Sequence, residues 1–163
     1  ADSMKSALSL LMELPVSSNC NILIAHKEGE MAAVECTSYE KRIRKAVNFK
    51  HGKIECAVNS FISDEMKRYD AAHGRDYRAA ERYRTVIEGF RAGKKGNPIE
   101  MTQKLLKGEY GFICQYDDEP DFETVWSSVF DLRNLMLYRA EGDPRKKKFI
   151  LDGRLHDIAG ISF

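Results

Sequence analysis

The densest hydrophobic pattern in the chain lies between residues 121 and 144. Val125, Trp126, Val129 and Phe130 precede a polar break, Asp131-Leu-Arg-Asn134, and Leu135, Met136, Leu137 and Tyr138 follow it. β-Branched and aromatic residues on either side of a short polar break predict strand, tight turn, strand. Val125 and Val129 fall on one side of the first arm and Trp126 and Phe130 on the other. Both faces therefore carry large apolar groups, and the hairpin is expected to be buried on two sides.

The rest of the chain is arranged around similar pieces. Leu8, Leu10, Leu11 and Leu14 recur at helical spacing after Asp2 and Ser3, either of which can cap a helix that Pro15 stops. Two apolar runs, residues 20–25 and 31–36, are separated by His26-Lys-Glu-Gly-Glu30, and the glycine there can take the positive φ of a hairpin turn. Residues 42–49 and 53–58 read as a third strand pair turning at Lys50-His-Gly52. The period then changes: Tyr77, Ala80, Tyr83, Arg84, Val86, Ile87 and Phe90 fit a helix, with Gly93 at the C-cap position. Asn97-Pro98 opens a shorter helix over residues 99–106 ending at Gly108. Residues 110–115 are a strand candidate, residues 117–120 an acidic loop, and residues 149–151 a short edge strand after the basic run Arg145-Lys-Lys-Lys148.

Three hairpins make antiparallel sheet dominant, with helices to cover it. The fold class is α+β, and a hairpin buried on both sides predicts two sheets face to face with a helical layer outside each. A length of 163 residues suits one domain, 1–163.

Composition narrows the function classes. The net charge of +1 argues against a protein whose main work is neutralising phosphate, and the basic run lacks the interleaved aromatics of a nucleic-acid surface. No nucleic-acid partner is expected. No stretch approaches the ~20 apolar residues of a membrane span, so no membrane partner is expected either. Cys20, Cys36, Cys56 and Cys114 form no C-x-x-C pair, and three lie in apolar runs, as reduced, packed thiols do; a cytoplasmic location is expected. His26, His51, His73 and His156 show no ligand spacing, so neither a metal nor another cofactor is expected.

Two residues are candidates for chemistry. Asn59 stands where the apolar run Cys56-Ala-Val58 ends, and an uncharged amide at a strand end can donate to a developing oxyanion without titrating. Its bland alternative is a turn cap. Arg82 sits at the border of the packed and exposed faces of the long helix, where its fork of donors can hold a carboxylate or a chain terminus. Its bland alternative is a side chain lying over Tyr83 or pairing with Glu81 at low gain. No cysteine has a His or Asp spaced to activate it, and no serine sits in a G-x-S-x-G elbow. The residues alone do not identify an enzyme.

Several pieces in order resemble the linear amide C–N hydrolases. They are residues 7–16, the 21–25 strand, His26-Lys-Glu-Gly-Glu30 followed by Ala33-Val-Glu35, Val58-Asn-Ser-Phe61, Glu81-Arg-Tyr83, and the hairpin from Thr124 with its Glu-Gly-Asp-Pro144 exit. That group holds the choloylglycine hydrolases, the penicillin V acylases and the acyl-coenzyme A:6-aminopenicillanic acid acyltransferases, of which the last is the closer match. The resemblance implies an N-terminal-nucleophile (Ntn) hydrolase fold, a four-layer αββα sandwich. It also implies a leading cysteine that attacks an amide carbonyl with its own α-amino group as base, an oxyanion-hole Asn matched by Asn59, and a supporting Arg matched by Arg82.

The chain begins at Ala1, which has no nucleophilic atom, and the match starts about halfway through the family pattern. Val58 and Ser60 stand where acyltransferase relatives commonly carry Thr and His. The expectation is therefore an incomplete part of the sandwich. It would be the C-terminal segment of an enzyme acting on acyl-amide small molecules, inactive as it stands, or else the product of a split gene starting at Met4. The alternative is a non-catalytic domain that keeps the fold for binding or assembly. Either way a homo-oligomer is expected, since a half-sandwich leaves an apolar sheet face wet.

Overall fold

The computed structural model describes residues 3–50, 52–70, 77–92, 96–114 and 123–154. Outside them lie His51 of the predicted third turn, His73 and His156, the Gly93 cap, Gln115 and the acidic loop at 117–120, and the tail beyond 154. The chain divides into two compact units, Ala1–Arg91 and Ala92–Phe163.

The first unit opens with α1, Met4–Glu13. Ser3 and Ser6 cap each other's backbone in a capping box, and Leu14 turns extended ahead of Pro15, as the sequence predicts. The glycine-turn hairpin also forms. β1 (Cys20–Ala25) pairs with β2 (Met31–Cys36) from Cys20↔Cys36 to Ala25↔Met31. The His26 amide donates to the Glu30 carbonyl across the turn, and Gly29 has φ +87°, where an added Cβ would be strained.

β3 (Lys41–Lys45) pairs along the other side of β2, giving the order β1-β2-β3 with β2 in the middle. Ala32 through Cys36 are all buried, so the central strand is covered on both faces. On one side lies α1. Lys41 reaches its C-terminal end, and the ammonium donates to the carbonyls of Leu11 (2.9 Å), Met12 (3.0 Å) and Leu14. A cation on the last turn satisfies carbonyls that have no helical partner and meets the negative end of the helix dipole.

The third predicted pair is shorter than its pattern. Residues 42–49 break at Ala46 into β3 and β4 (Val47–Phe49), and β4 pairs with β5, which is only Gly52–Ile54. The chain leaves the ladder at Glu55 because residues 55–58 are held by side chains of the β1–β3 sheet instead of by a neighbouring strand. α2, Ala79–Ala92, sets Phe90 edge-on to Phe49 at 5.4 Å between ring centroids.

In the second unit α3 runs Pro98–Leu106, capped by the Asn97 side chain on the Ile99 amide. It ends in a Schellman turn in which Glu109 N donates to Lys104 O, Gly108 N donates to Leu105 O, and Gly108 has φ +79°. Gly111 follows at φ +127°, and two such glycines curl the chain where a strand over 110–115 is predicted; residues 110–114 form no strand.

The closing hairpin forms around the predicted turn: β6 (Trp126–Asp131) pairs with β7 (Met136–Glu141), and β8 (Ile150–Leu151) adds at the edge of β7. The turn is tied by the Asp131 carboxylate, which accepts from the amides of Arg133 and Asn134. Its two-sided burial is corrected. Ser127, Val129 and Ala140 share a buried face, but Trp126 and Phe130 on the other are 52% and 56% exposed. α3 packs against β6, and one short helix has area for one face of a three-stranded sheet. Arg139 lies over the Trp126 ring at 4.7 Å, covering it partly.

Helices with antiparallel sheets are thus what the structure contains, as the α+β reading has it. Among the described residues no helix is long and apolar enough to cross a membrane.

Candidate functional site

Residues 55–63 leave the sheet without regular structure, and their backbone must find partners elsewhere. It finds them on one face of the β1–β3 sheet, where Asn21, Ala33, Glu35 and Arg44 lie. Glu35 is fully buried, and its carboxylate accepts from the amides of Ile62 (2.6 Å) and Ser63 (3.2 Å). Arg44 stands between two carboxylates, 3.0 Å from Glu35 and 2.9 Å from Glu55, and donates to the Cys56 carbonyl at 2.5 Å. The Glu55 carboxylate also accepts from the amide of Cys56 at 2.9 Å. Phe61 N donates to Asp70 at 3.0 Å. Asn21 donates from its Nδ2 to the carbonyls of Val58 (2.8 Å) and Ser60 (3.1 Å), one on each side of Asn59.

These contacts bury charge, and that decides their energetics. The side chains of Glu35, Arg44 and Glu55 are 0%, 12% and 2% exposed. A buried ion pair gains little over an apolar equivalent but leaves a costly charge behind when one partner goes. Burial is the main cause that pushes the Glu55 carboxyl above its ordinary range, against the Cys56 amide and Arg44, which pull it down. One of its oxygens, like the side-chain oxygen of Asn21, is buried without a donor among the described residues. Each such atom costs about 1–3 kcal/mol, so stability alone does not explain the arrangement.

The clamped segment carries Asn59, and α2 carries Arg82. The structure brings the two together: Arg82 Nη2 donates to Asn59 Oδ1 at 2.5 Å. A guanidinium has no acceptor, so the Asn59 oxygen must be the atom that faces it, and the amide nitrogen is turned away with both protons to donate. Asn59 is exposed and Arg82 half-buried. A charge-assisted bond to Oδ1 also draws electron density from the amide and strengthens its N–H donors.

Cys56 lies three residues from Asn59, but it is buried and its thiol is pushed up to about 11, first by burial and then by Glu55. A thiol of that kind holds roughly one thiolate in ten thousand at pH 7 and is inert as a nucleophile. Among the described residues no group of His, Cys, Asp and Glu is placed to hold a metal ion. A cleft of about 530 Å³ opens elsewhere in this unit, between α1 and Glu30 and Ile43. It offers no cluster of donors, and the clamped segment is the better candidate.

Sequence reasoning singles out Asn59 and Arg82 and misses the side chains that hold the segment bearing Asn59: Asn21, Glu35, Arg44, Glu55 and Asp70. A signal was present, because Glu35 and Glu55 each interrupt an apolar run, and a lone carboxylate in such a run marks a buried partner.

Two comparisons bear on the chain. The sequence model of the family described as acyl-coenzyme A:6-aminopenicillanic acid acyl-transferase matches residues 1–146. No curated protein matches.

Proposed function

The chain belongs to the acyl-coenzyme A:6-aminopenicillanic acid acyl-transferase family, and from that premise we propose that it is the C-terminal part of an N-terminal-nucleophile enzyme that hydrolyses or transfers the acyl group of a linear amide. In this reading its sheets belong to an αββα sandwich, and the nucleophilic cysteine comes from sequence outside these 163 residues. The observation that carries the reading is the Arg82–Asn59 hydrogen bond, which orients an amide donor in the middle of a clamped segment.

The reaction follows from those groups. The cysteine thiol loses its proton to its own α-amino group and attacks the carbonyl carbon, and the electron pair moves onto oxygen. Asn59 Nδ2 donates to that oxyanion. The C–N bond breaks as the ammonium returns the proton to the leaving amine, leaving a thioester that water hydrolyses or a second amine intercepts. Asn59 contributes where charge develops, and losing one such donor costs about 10²–10³ in kcat. Arg82 fixes its orientation and polarises it. The four free thiols suit a reducing compartment, in keeping with a cytoplasmic enzyme.

The full-length protein is expected to release 4-nitroaniline from acyl 4-nitroanilides and to be labelled at its leading cysteine by an amide-directed electrophile. Asn59→Ala should lower kcat about 10²–10³-fold with little change in KM. No release across an acyl series, together with an unlabelled cysteine, would sink the proposal.

One observation favours a second reading, a domain kept for assembly. Trp126, Phe130 and Ile150 on one face of the β6–β8 sheet are 52%, 56% and 64% exposed, and a second copy of the chain would cover them. A monomer in sedimentation equilibrium would exclude this second reading, which requires a dimer that Trp126→Glu dissociates.

A further inference from the structure

We propose that Asn21 is a positioning residue for Asn59, holding the backbone on both sides of it so that its amide points where an oxyanion forms. The inference rests on the oxyanion-donor reading of Asn59 and names the group that makes it rigid. Asn21 Nδ2 has two protons and gives one to each flanking carbonyl, Val58 at 2.8 Å and Ser60 at 3.1 Å. The assignment is forced, because the flipped amide would aim its oxygen at two carbonyl oxygens. Arg82 fixes the far end of the Asn59 side chain, and Asn21 fixes the peptide that enters it and the next-but-one peptide after it, with only one peptide between them.

Two further features fit positioning better than stability. The Asn21 oxygen is buried without a donor among the described residues, so the side chain is placed for its nitrogen alone. Asn21 is also paired in register with Glu35, whose carboxylate takes the Ile62 and Ser63 amides. One rung of the sheet thus holds the carbonyls before and after Asn59 and the amides beyond it. A paired strand is a rigid platform, and displacement of a donor by about 1 Å can cost on the order of 10²-fold in rate.

The test uses Asn21→Asp, which keeps the shape but sets a carboxylate against two carbonyls, and Asn21→Ala in case the charge prevents folding. In the full-length protein, on acyl 4-nitroanilides, each variant should lower kcat by roughly 10–100-fold with KM within about twofold. In the ¹⁵N-labelled 163-residue chain the Asn59 side-chain amide signals, identified by their absence from Asn59→Ala, should shift or broaden in either variant. Unmoved Asn59 signals overturn the proposal whether or not the protein cleaves amides. So does a loss in which KM rises as much as kcat falls. An inactive wild-type protein with shifted Asn59 signals overturns the proposed function and leaves Asn21 as the residue that orients Asn59.

Discussion

Two charge clusters, one buried and one exposed, both draw on β3 or the residue before it and do opposite work. On the inner face Arg44 joins Glu35 and Glu55, all nearly or fully buried, and the cluster grips the backbone of residues 56, 62 and 63. In the outer cluster Glu40 accepts from Arg42 at 2.9 Å and Arg68 at 2.7 Å, with Tyr69 at 3.2 Å, and the two arginines are 51% and 63% exposed. Residue types and distances are nearly the same. The difference is solvent: water competes for every group in the second cluster and for almost none in the first, so the first specifies where a segment lies and the second decorates a surface.

The largest effect should come from removing the shared cation. Arg44→Ala leaves two buried carboxylates and a Cys56 carbonyl without their partner, and a broken buried pair costs about 3–5 kcal/mol. Urea unfolding should show this as a lowered midpoint at unchanged slope. Arg44→Lys should fall between, because one ammonium lacks the fork that reaches three acceptors. A loss under about 1 kcal/mol for Arg44→Ala would mean that the inner cluster behaves like the outer one, and the comparison would fail.

One carboxyl from each cluster, Glu55 and Glu40, should also respond to acid with opposite signs. Burial, ahead of the other causes, holds the Glu55 carboxyl above its ordinary range. The unfolded chain therefore loses that proton at lower pH than the folded one, so Glu55 contributes most below its ordinary value near 4.5 and less as pH rises through the folded value. Glu40 is the reverse, held low first by the Arg68 hydrogen bond. Its contribution is present above its ordinary value and is lost as pH falls through the folded one. Glu55→Gln cannot ionise, so the stability of the wild type relative to this variant should be greater at pH 4 than at pH 7. A difference that does not change with pH, or that grows as pH rises, would show that burial does not dominate at Glu55.

The contrast also marks what could be read from the residues. α1, the glycine-turn hairpin, the long helix, α3 and the closing hairpin were legible because capping, turn and period signals are local. Asn59 stood out as a polar residue at the end of an apolar run. What was not legible depends on contacts distant in sequence. Residues 55–58 look like strand, yet Glu55 bonds Arg44 and Cys56 in place of a ladder. Trp126 and Phe130 look like core, yet whether a face is covered is settled by what packs on it, which alternation cannot state. The pairing of Asn21 with the carbonyls of Val58 and Ser60 spans nearly forty residues, and no local rule contains it.

The smallest effect is expected at the outer cluster, and it tests the comparison from the other side. Arg68 bonds Glu40 and Tyr69 and lies over the Tyr69 ring at 4.8 Å, so a count of contacts would rank it beside Arg44. Its side chain is 63% exposed, and each of those groups is hydrated again when it is removed. Arg68→Ala should leave the urea midpoint within error of wild type at physiological salt, where the Debye length is about 8 Å. Any small loss should disappear in ~1 M sodium chloride, whereas the Arg44→Ala deficit, shielded from ions by burial, should persist. A large, salt-insensitive loss for Arg68→Ala would mean that the contacts themselves matter more than the water around them.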